Sequence, residues 1–183
     1  MLHKKLFTLA CAIAVVAMGA CFLPPEHVTP PPLPPYLAQV RVFVIQVEDA
    51  SGKDLVDGDA MSRAVAANFN QLWQDYKVRA RALQSSGNKD AILKITINHK
   101  STSGPSASAG KQRWEFELNT SSILTAPDGS VLWQEPNETS QSIVWLTNGL
   151  PPDGWNSRIV RSETAYSLAM QVGGKVLNST ASK

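Results

Sequence analysis

The sequence is poor in the side chains from which most active sites and metal sites are built. It has two cysteines and three histidines among 183 residues, and it contains no CxxC, HExxH or GxSxG motif. A Ser-His-Asp triad would have to recruit His99, at the end of a predicted strand, because His27 lies in a proline-rich stretch. These absences predict that the protein is not an enzyme and that it has no catalytic residue, metal or cofactor.

The chain also has no surplus of one charge. Its 17 basic residues stand against 15 acidic ones, and two of the basic residues, Lys4 and Lys5, belong to an N-terminal leader. Without that leader the numbers of basic and acidic residues are equal, and the sequence contains no cluster of lysine and arginine. A neutral chain of this kind gives little reason to expect nucleic-acid binding.

No apolar run is long enough to cross a membrane as a helix. The longest, residues 6–18, follows a short basic segment, residues 1–5, and counts 13 residues, whereas a transmembrane helix needs about 20. This pattern is typical of an export signal peptide. Such a signal predicts a protein that works outside the cytoplasm.

The leader ends at a cysteine, Cys21. The stretch Met18-Gly19-Ala20-Cys21 resembles the lipobox of bacterial lipoproteins, although Met18 stands where leucine is usual. The resemblance implies a signal peptide over residues 1–20 and acyl chains such as palmitate on Cys21, which anchor the protein to a membrane. In the alternative, an ordinary signal peptidase cuts after Gly19 and leaves Cys21 as a lone thiol in an oxidising compartment.

Residues 21–36 are rich in proline and form a predicted tether between the anchor and a folded domain. The prolines favour extended polyproline geometry, so the segment is a semi-rigid spacer on the order of 40 Å long. The alternative is a PxxP ligand for an aromatic groove of a partner. The remaining residues, 37–183, are enough for one domain with its own core.

Apolar periodicity in this domain predicts a β-α-β-β-β-β-α order. Strands are predicted at 38–47, 77–83, 90–100, 112–125 and 131–133, and helices at about 59–76 and 157–178. A mixed, largely antiparallel, meandering sheet with both helices packed on one face buries the two helical stripes most simply, which makes the domain an α+β fold. Residues 101–110 lack large apolar side chains and are predicted to form a loop tip.

The two helices carry further signals. Asp57 or Asp59 is placed to cap the first helix. The predicted buried stripe of this helix is Met61, Val65, Phe69, Leu72, Trp73 and Tyr76. The predicted buried stripe of the second helix is Ile159, Tyr166, Ala169, Met170, Gly173 and Leu177. Gly173-Gly174 within it predicts close packing or an early break.

Two glutamates, Glu115 and Glu117, stand on the predicted solvent face of one strand. Carboxylates at this spacing could form a glycosidase pair. The predicted position favours instead a charge ladder with basic residues of neighbouring strands, for which the candidates are Arg79, Arg81 and Lys94.

The segment before the second helix is unusually apolar for a connection. Its candidate partner-binding residues are Trp145, Leu146, Leu150 and Trp155, since two tryptophans in one loop favour a contact surface. In the alternative, residues 143–146 form a short strand and Trp155 folds onto the core as a lid.

The stretches VRVFVIQV, DAILKITI and LTAPDGSVLW follow the lipobox and the tether. The combination resembles small Gram-negative envelope lipoproteins: the lipopolysaccharide-assembly lipoprotein, the auxiliary lipoproteins of ABC-type transport systems, and the lipoprotein activators of penicillin-binding proteins. The resemblance implies a non-enzymatic head that binds a protein partner or a lipid-like ligand in outer-membrane assembly or transport. It transfers no catalytic residue.

The residue after the cysteine bears on location. Phe22 stands where lipoproteins of the inner membrane commonly have aspartate, so we expect the outer membrane, with the head facing the periplasm. The alternative is a soluble periplasmic ligand-binding protein or hydrolase, released by the ordinary signal peptidase.

Overall fold

The computed structural model describes residues 32–52, 54–83, 90–108, 110–151 and 153–179. The predicted signal peptide, the lipidation of Cys21 and most of the tether lie outside the described residues. Those that are described belong to one compact unit, Pro32–Lys183.

Five strands and two α-helices follow one another in the described residues. They are β1 (Val42–Asp49), α1 (Gly58–Leu72), β2 (Arg79–Ala82), β3 (Ala91–Ser108), β4 (Lys111–Thr125), β5 (Val131–Leu146) and α2 (Arg158–Asn178). Single turns of 3₁₀ helix lie at Pro35–Leu37 and Gly154–Asn156. The predicted order β-α-β-β-β-β-α is confirmed.

All five strands form one sheet in the order β2-β1-β3-β4-β5. β1 runs parallel to its two neighbours, whereas β3, β4 and β5 form an antiparallel meander. Both helices pack against one face, α1 over β1 and β2, and α2 over β5. The α+β prediction, a mixed sheet with two helices on one face, is confirmed.

The core lies between the sheet and the helices. β1 contributes Phe43 and Ile45, both fully buried, and β3 contributes Leu93 and Ile97. Phe43 meets Phe69 of α1 edge-to-face, with ring centroids 5.5 Å apart. β1 is apolar on both faces because it lies between two other strands, as its sequence pattern predicts.

α1 begins where predicted. Asp57 accepts a hydrogen bond from the backbone amide of Ala60 at 2.9 Å and so caps the helix. Of the predicted stripe, the side chains of Met61, Val65 and Phe69 are each at most 1% exposed. The predicted stripe is confirmed within α1, but the predicted end at residue 76 is wrong, because the helix ends at Leu72. Trp73 and Tyr76 follow the helix and still pack on the core.

α2 turns a different face to the core from the one that its largest apolar residues predict. Ile159, Tyr166 and Met170 are 43%, 43% and 52% exposed, so the predicted stripe is wrong at these positions. The buried face consists mostly of smaller residues: Val160, Thr164, Ala165, Leu168, Ala169, Val172, Gly173, Val176 and Leu177. Small side chains let α2 approach α1 closely, which the periodicity of α2 alone does not reveal.

Gly173 marks a close approach of the two helices. A Cβ atom there would lie 2.4 Å from Nε1 of Trp73, which donates a hydrogen bond to the carbonyl of Ala169 at 3.2 Å. Close packing, one of the two predicted outcomes for Gly173-Gly174, is therefore confirmed. The helix continues unbroken to Asn178.

The predicted loop tip at residues 101–110 is wrong, because β3 continues through most of it. Ser103, for example, pairs with Glu115 of β4. β1 pairs with β3 only as far as Ile97, so the β3–β4 hairpin extends beyond β1. Main-chain pairing with an adjacent strand makes a strand of residues whose own side chains favour a loop.

The two glutamates of β4 lie on the open face of the sheet, but their partners differ from the predicted ones. Glu115 pairs with Arg113 of its own strand, and Glu117 accepts a hydrogen bond from Gln141 at 2.9 Å. Lys94 pairs with a glutamate of β1. The predicted arginine partners belong to β2, which β1 and β3 separate from β4.

Candidate functional site

Three segments meet at the end of the sheet where β1 stops. They are residues 50–52 and 54–57 after β1, residues 99–102 of β3, and residues 147–151 and 153–157 between β5 and α2. They line two adjoining cavities of about 590 and 650 Å³, here called the loop cleft. The cavities share three lining residues, Asp54, Thr102 and Trp155. Ligands of open sheets commonly bind at this position, the carboxyl end of parallel strands.

One wall of the loop cleft is apolar. Trp155 packs edge-to-face on Phe116, with centroids 5.0 Å apart, and is 8% exposed. Leu150 and Leu55 form the rim and are 40% and 57% exposed. Exposed leucines beside a buried aromatic pair suit this wall to an apolar ligand.

Asn156 ties the two long connections together. Its Oδ1 accepts a hydrogen bond from the amide of Asp57 at 2.7 Å, and its Nδ2 donates to the carbonyl of Leu55 at 2.9 Å. Asp57 also caps α1, so the position of the connection 147–157 is coupled to the start of that helix. The apolar wall is therefore positioned by contacts with the start of α1 as well as by contacts within the two connections.

The four predicted binding residues separate into two groups. Leu150 and Trp155 line the loop cleft. Leu146, 8% exposed, lies in the core, while Trp145, 47% exposed, lies on the opposite face of β5. Residues 143–146 are the end of a strand and Trp155 packs on the core, as in the alternative interpretation. A role of these four residues in partner binding stays a prediction.

The other wall contains a buried ion pair. Nζ of Lys100 lies 2.6 Å from Oδ2 of Asp49, and the two side chains are 7% and 2% exposed. The hydroxyl of Ser51 donates to Asp49 Oδ1 at 2.6 Å and accepts from Lys100 Nζ at 2.5 Å. The amides of Ser51 and Val56 also donate to Asp49, at 2.9 and 2.8 Å. We call Asp49, Ser51 and Lys100 the Asp49 cluster.

These contacts favour the ionised form of Asp49. Burial alone would raise the pKa of its carboxyl, but the hydrogen bonds from Lys100, Ser51 and the Val56 amide outweigh burial and lower the pKa below its ordinary value of 3.8. The hydrogen bonds of Lys100, in β3, to Asp49 and Ser51 connect the loop after β1 to β3.

The contact between Ser51 and Lys100 raises the question of catalysis. A serine beside a lysine becomes a nucleophile when the neutral amine accepts its proton. Lys100 is instead paired with the carboxylate of Asp49, a contact that depends on its ammonium charge. His99 also lines the cleft, and no group within the described residues hydrogen-bonds to its imidazole. The hydroxyl proton of Ser51 is directed at the carboxylate of Asp49 rather than at the amine of Lys100, which donates to Ser51.

Local sequence patterns give little sign of the Asp49 cluster. Asp49 and Ser51 are two residues apart, the spacing of an Asx turn, so the sequence could have indicated the contact between these two residues. Lys100 lies 51 positions from Asp49, and no periodicity links the two.

A second buried carboxylate, Glu138, lies on the helix-facing side of β5. Its side chain is 4% exposed, and Nζ of Lys175 lies 3.4 Å from its Oε1. Neither oxygen accepts a hydrogen bond within the described residues. Burial raises the pKa of Glu138 above its ordinary 4.5, against the opposing attraction of Lys175.

Two findings concern the described residues as a whole. None of their helices combines the length and the apolar character needed to span a membrane. Their histidine, cysteine, aspartate and glutamate side chains form no group of three placed to hold a metal ion.

No protein-family model matches the chain, and no curated protein matches it. Solved structures share part of its fold. The PelC dodecamer from Paraburkholderia phytofirmans aligns over 79% of this chain and 94% of its own, with 16% identity and a TM-score of 0.42. A minor lipoprotein from Acinetobacter baumannii aligns over 74% and 91%, with 10% identity and a TM-score of 0.41. A lipoprotein from Neisseria meningitidis aligns over 74% of this chain and 99% of its own, with 12% identity and a TM-score of 0.35. Likenesses of this size assign no residue role and no partner to this chain.

Proposed function

We propose that the protein is a non-enzymatic cell-envelope lipoprotein, anchored by acyl chains on Cys21, whose loop cleft binds an apolar part of a protein partner or a lipid-like ligand. The proposal includes a role in outer-membrane assembly or transport. The observation that carries it is the cleft itself, with an apolar wall of Trp155, Phe116 and Leu150 and with the Lys100–Asp49 ion pair on the other wall. Such a composition favours binding over chemistry.

The cleft and the first described residues lie near opposite ends of β1. The tether enters the fold just before β1, where Leu37 is fully buried and the hydroxyl of Tyr36 donates to the carbonyl of Val176. Burial raises the pKa of Tyr36 to about 12, so its hydroxyl stays a donor. β1 then extends about 25 Å to Asp49 at the cleft. Within the described residues, Tyr36 and the cleft therefore lie near opposite ends of β1.

Fatty-acid labelling tests the anchor. We expect an alkyne-bearing fatty-acid analogue to label the native chain and not the Cys21→Ser variant, and the native protein to fractionate with the outer membrane. A mature protein found wholly in the soluble periplasmic fraction would contradict the anchor. That result would favour the alternative, a soluble periplasmic ligand-binding protein or hydrolase.

Photo-crosslinking tests the cleft. A photoreactive residue at Leu150, on the rim, should capture a protein or lipid adduct that mass spectrometry can define. Val131 is the matched control, because it is 54% exposed at the start of β5, far from the cleft. Equal capture at both positions, or none at Leu150, would rule out the cleft as the binding site.

The captured molecule also tests the finer placement within the resemblance. A component of lipopolysaccharide assembly, a component of an ABC-type transporter or a penicillin-binding protein would each favour one of the three lipoprotein classes. Trp145 and Leu146 lie outside the cleft, so capture at Leu150 leaves their predicted role to a separate test.

A further inference from the structure

The two edges of the sheet differ in their protection against strand addition. β2, at one edge, has four residues, and two of them are arginines, Arg79 and Arg81. Nη1 of Arg79 donates to the carbonyls of Tyr76 and Val78, at 3.2 Å each, and so covers the entry to this strand. A short, charged edge of this kind discourages pairing with another chain.

β5, at the other edge, has 16 residues, and its first half is irregular. Pro136 has no amide hydrogen to donate to a further strand. The pairing of β5 with β4 also shifts register between Thr120 and Ser122 of β4. Irregularities of this kind protect an edge.

The middle of β5 is covered by α2. Ser167 Oγ donates to the carbonyl of Gln141 at 2.9 Å, and Gln171 Nε2 donates to the carbonyl of Thr139 at 2.9 Å. Carbonyls two residues apart on a strand point to the same side. The helix therefore occupies the acceptors of β5 that face away from β4.

The same series of main-chain groups continues to Ile143 and Trp145, where the described residues leave it uncovered; we call this end bare. Ser167 and Gln171 are four residues apart on one side of α2. The residue four positions before Ser167, on the same side, is Glu163. An ionised carboxylate cannot donate to a carbonyl. No side chain in the described residues hydrogen-bonds to the main chain of Ile143 or Trp145.

The side chains of this bare end are apolar. Ile143 and Trp145 are 45% and 47% exposed, on the sheet face that the helices leave open. Residues 139–146 contain no charge, proline or glycine, so the strand segment itself brings no like charges together when two copies meet. A bare, uncharged, apolar edge is a site for strand addition.

We propose that residues 143–146 of β5 pair with the same residues of a second copy of this chain, antiparallel about a two-fold axis. Ile143 and Trp145 have the outward main-chain groups, so these two residues form the hydrogen-bonded pairs. The register that uses both of them places Ile143 opposite the partner's Trp145. The symmetry repeats this aromatic–aliphatic pair and covers both exposed side chains in each copy.

A second copy fits this edge because the segment is complementary to itself. In a two-fold contact each copy supplies both members of every pair. A contact of a few residues a side is smaller than a standard interface, which buries about 800 Å² per partner. We therefore expect a reversible dimer whose fraction rises with protein concentration.

Sedimentation velocity of the full-length chain in detergent tests the dimer. The native chain should shift from monomer to dimer with concentration, and Trp145→Lys should stay monomeric with an unchanged Tm. Met170→Lys is the matched control, because Met170 is 52% exposed on α2 and should leave the dimer intact. A native chain that stays monomeric at all concentrations, or a Trp145→Lys chain that dimerises like the native one, overturns the proposal. Monomers that bind an extended peptide through this edge would assign it to another protein instead.

Disulfide trapping tests the register. Cα atoms of a hydrogen-bonded antiparallel pair lie about 5.5 Å apart, within the range of a disulfide. Oxidation of mixed Ile143→Cys and Trp145→Cys chains should give several times more cross-linked dimer than either chain alone. Glu117→Cys, on the same face of the interior strand β4, measures the background of random collision. Equal yields from the mixture and from the single variants contradict the register.

Discussion

Asp49 and Glu138 are both buried carboxylates, each facing a lysine, yet their pKa values move in opposite directions. Asp49 is 2% exposed, lies 2.6 Å from Lys100 and accepts hydrogen bonds on both oxygens, so its pKa falls. Glu138 is 4% exposed, lies 3.4 Å from Lys175 and accepts no hydrogen bond within the described residues. There burial outweighs the attraction of Lys175 and raises the pKa. At Asp49 the hydrogen bonds outweigh burial and favour the anion.

The surroundings explain why the donors differ. Asp49 ends a strand beside a loop whose amides point at it. Glu138 stands inside a strand, where the main chain pairs with β4 and leaves no amide for its side chain. Other buried polar atoms between the sheet and α2 also have no partner within the described residues: Thr120 Oγ1, Ser122 Oγ, Ser142 Oγ and Gln171 Oε1. Glu138 therefore lies in a buried polar region in which several side-chain atoms have no hydrogen-bond partner within the described residues.

The largest expected effect comes from Lys100→Met, which leaves Asp49 buried without a counter-charge. We expect the free energy of unfolding to fall by about 3–5 kcal/mol, measured by urea denaturation at neutral pH. The control is Lys94→Met, because Lys94 and its partner Glu48 are 40% and 52% exposed. Such a pair contributes at most about 1 kcal/mol, and equal losses from the two variants would contradict burial as the cause.

The next effect comes from Asp49→Asn, which keeps an acceptor and removes the charge. Because the folded pKa of Asp49 is lowered, its ionised form adds stability that is present above the ordinary value of 3.8 and lost as pH falls through the folded value. We expect the variant to lose about 2 kcal/mol near pH 7, and the gap to the native chain to close below pH 4. Urea denaturation at several pH values measures it; a gap independent of pH would contradict the assignment.

Glu138→Gln should have the opposite sign. Because the folded pKa of Glu138 is raised, its contribution is present below the ordinary value of 4.5 and is lost as pH rises through the folded value. The variant should be more stable than the native chain by about 1 kcal/mol at pH 8, and the two should converge near pH 4. Lys175 keeps Glu135 as a partner at 3.1 Å. A variant less stable than the native chain at pH 8 would show that the ionised carboxylate has partners that stabilise it.

The smallest effect is expected from Glu135→Gln. Glu135 and Lys175 are 29% and 44% exposed, so the pair contributes about 0.5 kcal/mol or less. The substitution also removes a negative charge that raises the pKa of Glu138, which offsets the loss. A change above about 1 kcal/mol in thermal or urea unfolding would make Glu135, rather than Glu138, the main partner of Lys175.

Local patterns predict the elements well where their causes are local. The cap by Asp57 and the stripe of Met61, Val65 and Phe69 depend on residues within a few turns of one helix, and both are confirmed. The stripe of α2 is wrong at Ile159, Tyr166 and Met170, because its buried face is chosen by a close fit to α1, where Gly173 meets Trp73 at the end of that helix. Periodicity shows that a helix has an apolar side, but the neighbouring element decides which of two overlapping rows is covered.

The candidate site is harder to predict than the elements that support it. Trp145 and Leu146 are neighbours in sequence, but successive residues of a strand point to opposite faces, so a strand at 143–146 separates them. Leu150 and Trp155 meet in the loop cleft because the connection returns to the sheet and packs on Phe116. That return depends on a contact with β4, which no motif in the connection encodes.

The sequence by itself determined the order of the elements, the alternation of the strands and the start of both helices, because these follow from side-chain periodicity and capping over short distances. The tertiary structure alone decided where the cleft opens, which edge of the sheet stays bare, and which buried carboxylate finds donors. Each of these outcomes requires side chains from distant parts of the chain to meet, as Lys100 meets Asp49 across 51 positions. Hydrogen bonds and ion pairs act only over a few ångströms, so the fold must bring the partners together before either can form.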